Sequence, residues 1–275
     1  MSQTNKKPER QLLDFCYFPK FDKSFEYLAQ KADPEPWDFS DSTRQNRSIL
    51  KNYLEFYFRK IKSENKIQYS SNNNWACFNT GLYTPNLEFI YALMEKNRNP
   101  NKQPYVLKAF CSESDSQLIM QFPGCLPEPA DYFSNPENLI FNPSCKIVPQ
   151  IDHIIADNID RFPTHFAGLP QDEVRRRIIG AIDEAQRKVR SNYKIAVPQY
   201  YNGKIQLLLP LCLTPGSQNP DLALATHKIA PGTYTARTIL TLQMAYNNAR
   251  QIVKPQSNWL KPKDYLLTTT VRSAK

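Results

Sequence analysis

Glycine is scarce in this chain, and the glycines it has are widely spaced. There are seven in 275 residues, at positions 81, 124, 168, 180, 203, 216 and 232, and no two are closer than twelve positions. The G-x-G-x-x-G and G-x-x-x-x-G-K-[ST] loops need paired glycines, because the backbone itself must approach a phosphate. Neither loop can be built here. A dinucleotide-binding doubly wound sheet and a phosphate-loop NTPase are therefore excluded. Any bound phosphate must be held by side chains or by a helix N-terminus.

Proline punctuates the chain instead, with 22 residues, six of them between 123 and 149. Between the breaks, helical spacing predicts a short helix from Asp22 to Lys31 and a long one from Ser42 to Ser63. It predicts another from Thr84-Pro85 to Lys96, because Thr is a good N-cap and Pro a good first-turn residue. Further helices are expected over Gln150–Arg161, Gln171–Asn192 and Thr235–Val253. Strands are expected over Lys66–Ser70, Trp75–Asn79, Tyr105–Cys111 and Gln117–Gln121, with a hairpin from Lys204–Leu213 and Asp221–Ile229. The fold class that follows is α+β: a single domain over 21–261, with a mixed, largely antiparallel sheet packed by several helices. Residues 1–20 read as an N-terminal segment and 262–275 as a tail.

No apolar window approaches the ~20 residues of a membrane span, and Met1–Arg10 is polar. The six cysteines are scattered without C-x-x-C, as expected of thiols in a reducing compartment. A cytoplasmic protein without a membrane partner is the expectation. The three histidines and six cysteines lack zinc-ligand spacing, so no metal and no cofactor are expected. The formal charge is +9, and it is unevenly placed. Residues 1–170 carry 19 basic and 20 acidic side chains; residues 171–275 carry 16 and 6. Such asymmetry points to an anionic partner such as nucleic acid, a nucleotide or a membrane surface, or else to a solvated basic face.

Several residues are candidates for chemistry. On a helical wheel over 151–163, His153, Asp157, Asp160 and Arg161 share a side. His153 could act there as acid or base with Arg161 beside it, or the group could simply be a solvated polar face. Asn158 falls among apolar positions and should anchor a neighbouring backbone, because an unsatisfied buried amide costs about 1–3 kcal/mol. Arg187, Arg190, Asn192 and Lys194 lead into Tyr200, Tyr201 and Gln206. Cations neutralise phosphate, tyrosines stack on bases and amides read base edges; one tyrosine can equally be core. Gln243, Asn247 and Arg250 form a polar stripe on the last helix. Asn79 and Thr80, just before the helix expected at Thr84, could add donors for an anion.

Several stretches together carry a family resemblance. They include Glu35-Pro36-Trp37-Asp38-Phe39, Ala76-Cys77-Phe78-Asn79-Thr80-Gly81-Leu82, Leu126-Pro127-Glu128-Pro129-Ala130-Asp131-Tyr132-Phe133 and Asp152-His153-Ile154. Pro198-Gln199-Tyr200-Tyr201, Asp221-Leu222-Ala223-Leu224 and Met244-Ala245-Tyr246-Asn247-Asn248-Ala249-Arg250 continue it. From about residue 12 to 260 the chain resembles the bacterial domain-of-unknown-function family that accompanies OST-HTH (LOTUS) RNA-binding domains. The resemblance implies a setting in RNA metabolism or defence and a possible protein partner carrying an OST-HTH domain. It carries over no catalytic residue. The reading that follows is an RNA- or nucleotide-binding protein with a basic, aromatic cleft in its C-terminal third. The alternatives are a metal-independent enzyme acting on RNA or a nucleotide through His153, and an interaction subunit of a larger complex.

Overall fold

The computed structural model describes residues 11–39, 46–214, 216–217 and 219–261. The expected tail and residues 1–10 lie outside the described residues. The class is α+β, but the strands form two sheets where one was expected. The chain divides between Asp131 and Tyr132 into two compact units, each with its own sheet.

The first unit holds α1 (Gln11–Phe15), β1 (Cys16–Tyr17), α2 (Phe21–Lys31), α3 (Ser48–Ser63), β2 (Gln68–Tyr69), β3 (Trp75–Tyr83), β4 (Phe89–Lys96), β5 (Tyr105–Ser112) and α4 (Ser116–Gln121). Its sheet order is β1-β5-β4-β3-β2, antiparallel except for β1 beside β5. Helix α3 buries Ile49, Leu50, Tyr53, Leu54, Tyr57, Phe58 and Ile61, the stripe its spacing requires. Its start is fixed by Asp38, whose carboxylate accepts from the Arg47 and Ser48 amides at 2.9 Å each. The Glu35–Phe39 motif thus acts as a helix cap.

Two expectations fail in this unit. Phe89–Lys96 is a strand, not a helix. Ile90 to Met94 are all buried, and an apolar run covered on both faces has no period that separates strand from helix. Gln117–Gln121 lies in α4, where the Asp115 side chain accepts from the Gln117 amide at 2.9 Å.

The second unit holds β6 (Lys146–Pro149), α5 (Ile151–Asp157), α6 (Gln171–Ser191), β7 (Val197–Tyr201), β8 (Lys204–Leu211), β9 (Leu222–Ala230), β10 (Thr233–Thr241) and α7 (Leu242–Arg250), with four short 3-10 turns. Its sheet order is β6-β10-β9-β8-β7, antiparallel except for β6 beside β10. Helix α6 lays Val174, Ile178, Ala181, Ile182, Ala185 and Val189 on one sheet face, against Leu207, Leu209, Leu211 and Leu224. Helix α7 packs on the face that carries Gln199, to which the Asn248 amide donates at 3.0 Å.

The helix expected from Thr235 divides into β10 and α7. Its first half, Thr-Ala-Arg-Thr-Ile-Leu-Thr, is rich in β-branched residues, which fit a pleated surface. The true N-cap is Thr241, which accepts from the Met244 amide. The helix expected to reach Arg161 stops at Asp157, with Asn158 at φ −134°. No helix of the described residues is long and apolar enough to cross a membrane.

Candidate functional site

The ends of α6 and β8 and the segment after α7 border a half-open cavity of about 380 Å³ in the second unit. Two ammonium groups (Lys188, Lys194), three amides (Asn192, Gln256, Asn258), the Ser257 hydroxyl, the Cys212 thiol and the Trp259 indole line it, with Ile195, Pro210 and Pro220 as its apolar wall. No carboxylate is among these residues. Local geometry explains the enclosure. Asn192 caps the turn after α6, its Oδ1 accepting from the Lys194 amide at 3.0 Å. The segment after α7 is tied back to that turn: Trp259 Nε1 donates to the Ile195 carbonyl at 2.8 Å and Ser257 Oγ donates to that of Lys194 at 2.5 Å. Asp221, which follows Pro220, clasps the backbone after Cys212, accepting from the Leu213 and Thr214 amides at 2.7 and 2.9 Å and from the Thr214 hydroxyl at 2.8 Å.

The electrostatics of the cavity are asymmetric. Lys188 Nζ pairs with Glu184 at 2.6 Å and lies 3.6 Å from Cys212 Sγ. The Glu184 contact raises the Lys188 pKa against the opposing effect of burial, so the lysine stays charged. Burial raises the Cys212 pKa more than Lys188 lowers it. The thiol is therefore neutral at pH 7 and a slow nucleophile. Lys194 is exposed and makes no ion pair among the described residues; its ammonium lies 6.0 Å from the centroid of the Tyr193 ring.

The expected site residues separate into several groups. Asn192 and Lys194 line the cavity. Arg190 is exposed without an ion pair among the described residues, whereas Arg187 pairs with Asp183 at 2.8 Å. The same pattern neutralises Arg175, Arg176 and Arg177, which pair with Asp152, Asp172 and Glu173. Exposed pairs of this kind are worth about 0–1 kcal/mol, so a phosphate can compete for them, but the helix is less basic than its composition suggests.

Asn158 and Arg161 form an interior lock. Asn158 is 2% exposed; its Nδ2 donates to the Ile154 carbonyl at 3.0 Å. Its Oδ1 accepts from Arg161 Nη1 at 2.6 Å and Thr238 Oγ1 at 2.9 Å. Arg161 Nη1 also donates to the Ile239 carbonyl at 2.5 Å, on β10 beyond the last residue paired with β6. His153 does not share this environment. It is exposed on α5, 3.3 Å from Asp157. The wheel put His153 and Arg161 on one side only by extending a helix that ends before Arg161.

Asn79 and Thr80 are also internal. Both are fully buried; Asn79 Oδ1 accepts from the Gly81 amide at 2.8 Å and Thr80 Oγ1 donates to the Ile90 carbonyl at 2.6 Å. No helix follows at Thr84, so the expected anion site at its N-terminus does not form.

Gln206 belongs to an amide chain. Asn248 donates to Gln199, and Gln199 Nε2 donates to Gln206 Oε1 at 2.7 Å. Asn247 Oδ1 is buried without a hydrogen-bond partner among the described residues. Arg250 is buried, Gln243 is exposed, Tyr201 is 51% exposed, and Tyr200 packs edge-on to Tyr132.

Sequence reasoning missed Lys188, Cys212, Gln256, Ser257, Asn258 and Trp259 as site residues. The last four arrive by a long-range return that no local pattern marks. Among the described residues no three His, Cys, Asp or Glu side chains are placed to hold a metal ion. The chain matches the model of the family described as Domain of unknown function (DUF3825) over residues 28–259. No curated protein and no solved structure matches it significantly.

Proposed function

The chain belongs to the DUF3825 family, and we propose that it binds RNA or a nucleotide in the cavity beside α6. One observation carries this reading. A space of nucleotide size brings together two ammonium groups, Lys194 and the Glu184-paired Lys188, with three amides and an indole. Each component answers a part of a nucleotide. Ammonium groups attract phosphate, amides match the donor and acceptor edges of a base, and an indole or tyrosine face stacks on it. Recognition by side chains also fits a chain without paired glycines. The resemblance to a family that accompanies OST-HTH domains favours RNA as the ligand, and an OST-HTH-bearing protein as a partner.

The acid–base reading gains no support from the geometry, since His153 is exposed on α5 and Arg161 is bonded to the β10 backbone. The test is binding of a labelled RNA single strand across a salt series. Wild-type affinity should fall as salt rises, and K194A should lower the logarithmic slope by about 0.7, the value of one phosphate contact on a single strand. Equal slopes for the two proteins would overturn the reading.

A further inference from the structure

The sheet of the second unit has a face that α7 covers at one end only. Along β7 and β8, Tyr201 is paired with Lys204, and Gln199 with Gln206. These four residues therefore share the α7 face, because directly paired residues project to the same side. Across β9, β10 and β6 the register aligns His227, Thr235 and Val148, with Lys146 two residues before Val148 on the same side. Helix α7 begins where β10 ends and is bonded to Gln199, so it covers the end nearer Gln199. Beyond it Tyr201 is 51% exposed and Val148 45%, and Lys146 and Lys204 are exposed. Partial burial, and after it the charge of nearby Lys204, disfavour protonation of His227.

The strands bring no carboxylate to this surface: none of the five contains Asp or Glu, while Lys146 and Lys204 project from it. One carboxylate approaches from a 3-10 turn: exposed Glu137 borders a water-sized space with Gln206 and His227. A partner that buried apolar surface here would have to desolvate two lysines without pairing them, which is costly. A polyanion would pair them instead.

We propose that this open half of the sheet face is a second binding surface, separate from the cavity, and that it takes single-stranded nucleic acid. Tyr201 stacks on a base, Lys204 and Lys146 neutralise phosphates, and Gln206, already held by Gln199, offers its free amide N–H to a base edge. An aromatic ring between cations on a sheet is a sequence-tolerant platform for a strand.

The test is equilibrium binding of a fluorescent ten-nucleotide RNA and of heparin to the full chain. It compares wild type, Y201A, K146A/K204A and K62A; Lys62 is an exposed cation on α3. Y201A should weaken RNA binding by about fivefold or more and leave heparin binding unchanged. K146A/K204A should lower the salt slope for RNA by about 1.4, or about 0.7 per lysine, and K62A should not. Wild-type affinity for RNA in Y201A and K146A/K204A would overturn the proposal, as would an equal loss of heparin binding in Y201A. RNA binding lost in a cavity variant such as K194A but kept in both face variants would leave the cavity reading standing and remove this one.

Discussion

Replacing Asn158 by alanine should destabilise the second unit far more than any change at His153. The amide makes three bonds: one to the Ile154 carbonyl, one from Thr238 Oγ1 and one from the Arg161 guanidinium. A bond to a charged partner contributes about 1.5–3 kcal/mol and a neutral one about 0.5–1.5 kcal/mol. Simple addition gives about 2.5–6 kcal/mol. The three bonds meet at one side chain and are not independent, so about 3 kcal/mol is the working value. That is a large part of the total stability of a domain, which is about 5–15 kcal/mol. The assay is urea unfolding followed by circular dichroism, with H153A as the comparison. His153 is exposed on α5, so H153A should stay within about 0.5 kcal/mol of wild type. Asn158→Asp keeps the acceptor facing Arg161 but loses the donor to Ile154, and should fall between the two. A loss below about 1 kcal/mol in N158A would refute the claim that Asn158 and Arg161 hold the β10 backbone.

Three further outcomes follow from the geometry. Gly81 has φ +69°, and a Cβ there would overlap the buried Tyr57 ring; G81A should cost about 2–5 kcal/mol from left-handed strain and overpacking combined, and a near-neutral effect in urea unfolding would count against the packing described. Glu64 is penalised by burial, but bonds from Lys60, Lys66 and the Asp131 amide outweigh that and lower its pKa. Its contribution is therefore present above the ordinary Glu range and lost as pH falls through the lower folded value, so E64Q should flatten the acid limb of the stability profile; parallel limbs in the two proteins would contradict this. Cys212 lines the cavity, whereas Cys125 is exposed in the first unit; saturating nucleotide should slow maleimide labelling at Cys212 and leave Cys125 unchanged, and equal rates at Cys212 with and without nucleotide would argue against an occupied cavity.

Much of the local order is legible in the sequence. The α6 stripe of Val174, Ile178, Ala181, Ile182, Ala185 and Val189 lies where its period puts it, because one face meets a sheet and the other meets water. Phe89–Lys96 is misread because both of its faces are covered, and Thr84-Pro85 resembles a helix start while serving a hairpin turn, in which the Leu87 amide donates to the Thr84 carbonyl. The neutralised arginines of α6 were visible as well. Asp172 and Arg176, Glu173 and Arg177, and Asp183 and Arg187 are each four residues apart, the spacing of facing side chains on a helix. Asn192 and Lys194 could be named from composition, because a basic helix end runs straight into them. Trp259 and Cys212 could not. Trp259 reaches the cavity through a bond to Ile195, 64 residues away, and Cys212 meets Lys188, 24 residues away. Such returns are set by tertiary packing, which no local period records.

The central claim, a nucleotide-binding cavity beside α6, is tested most directly by titration calorimetry with nucleoside monophosphates at low salt on wild type and N258A, an exposed wall residue. The account predicts saturable binding to wild type, weakened severalfold in N258A with the fold intact by circular dichroism. Absence of saturable binding to wild type, or equal affinity in the two proteins, would contradict it.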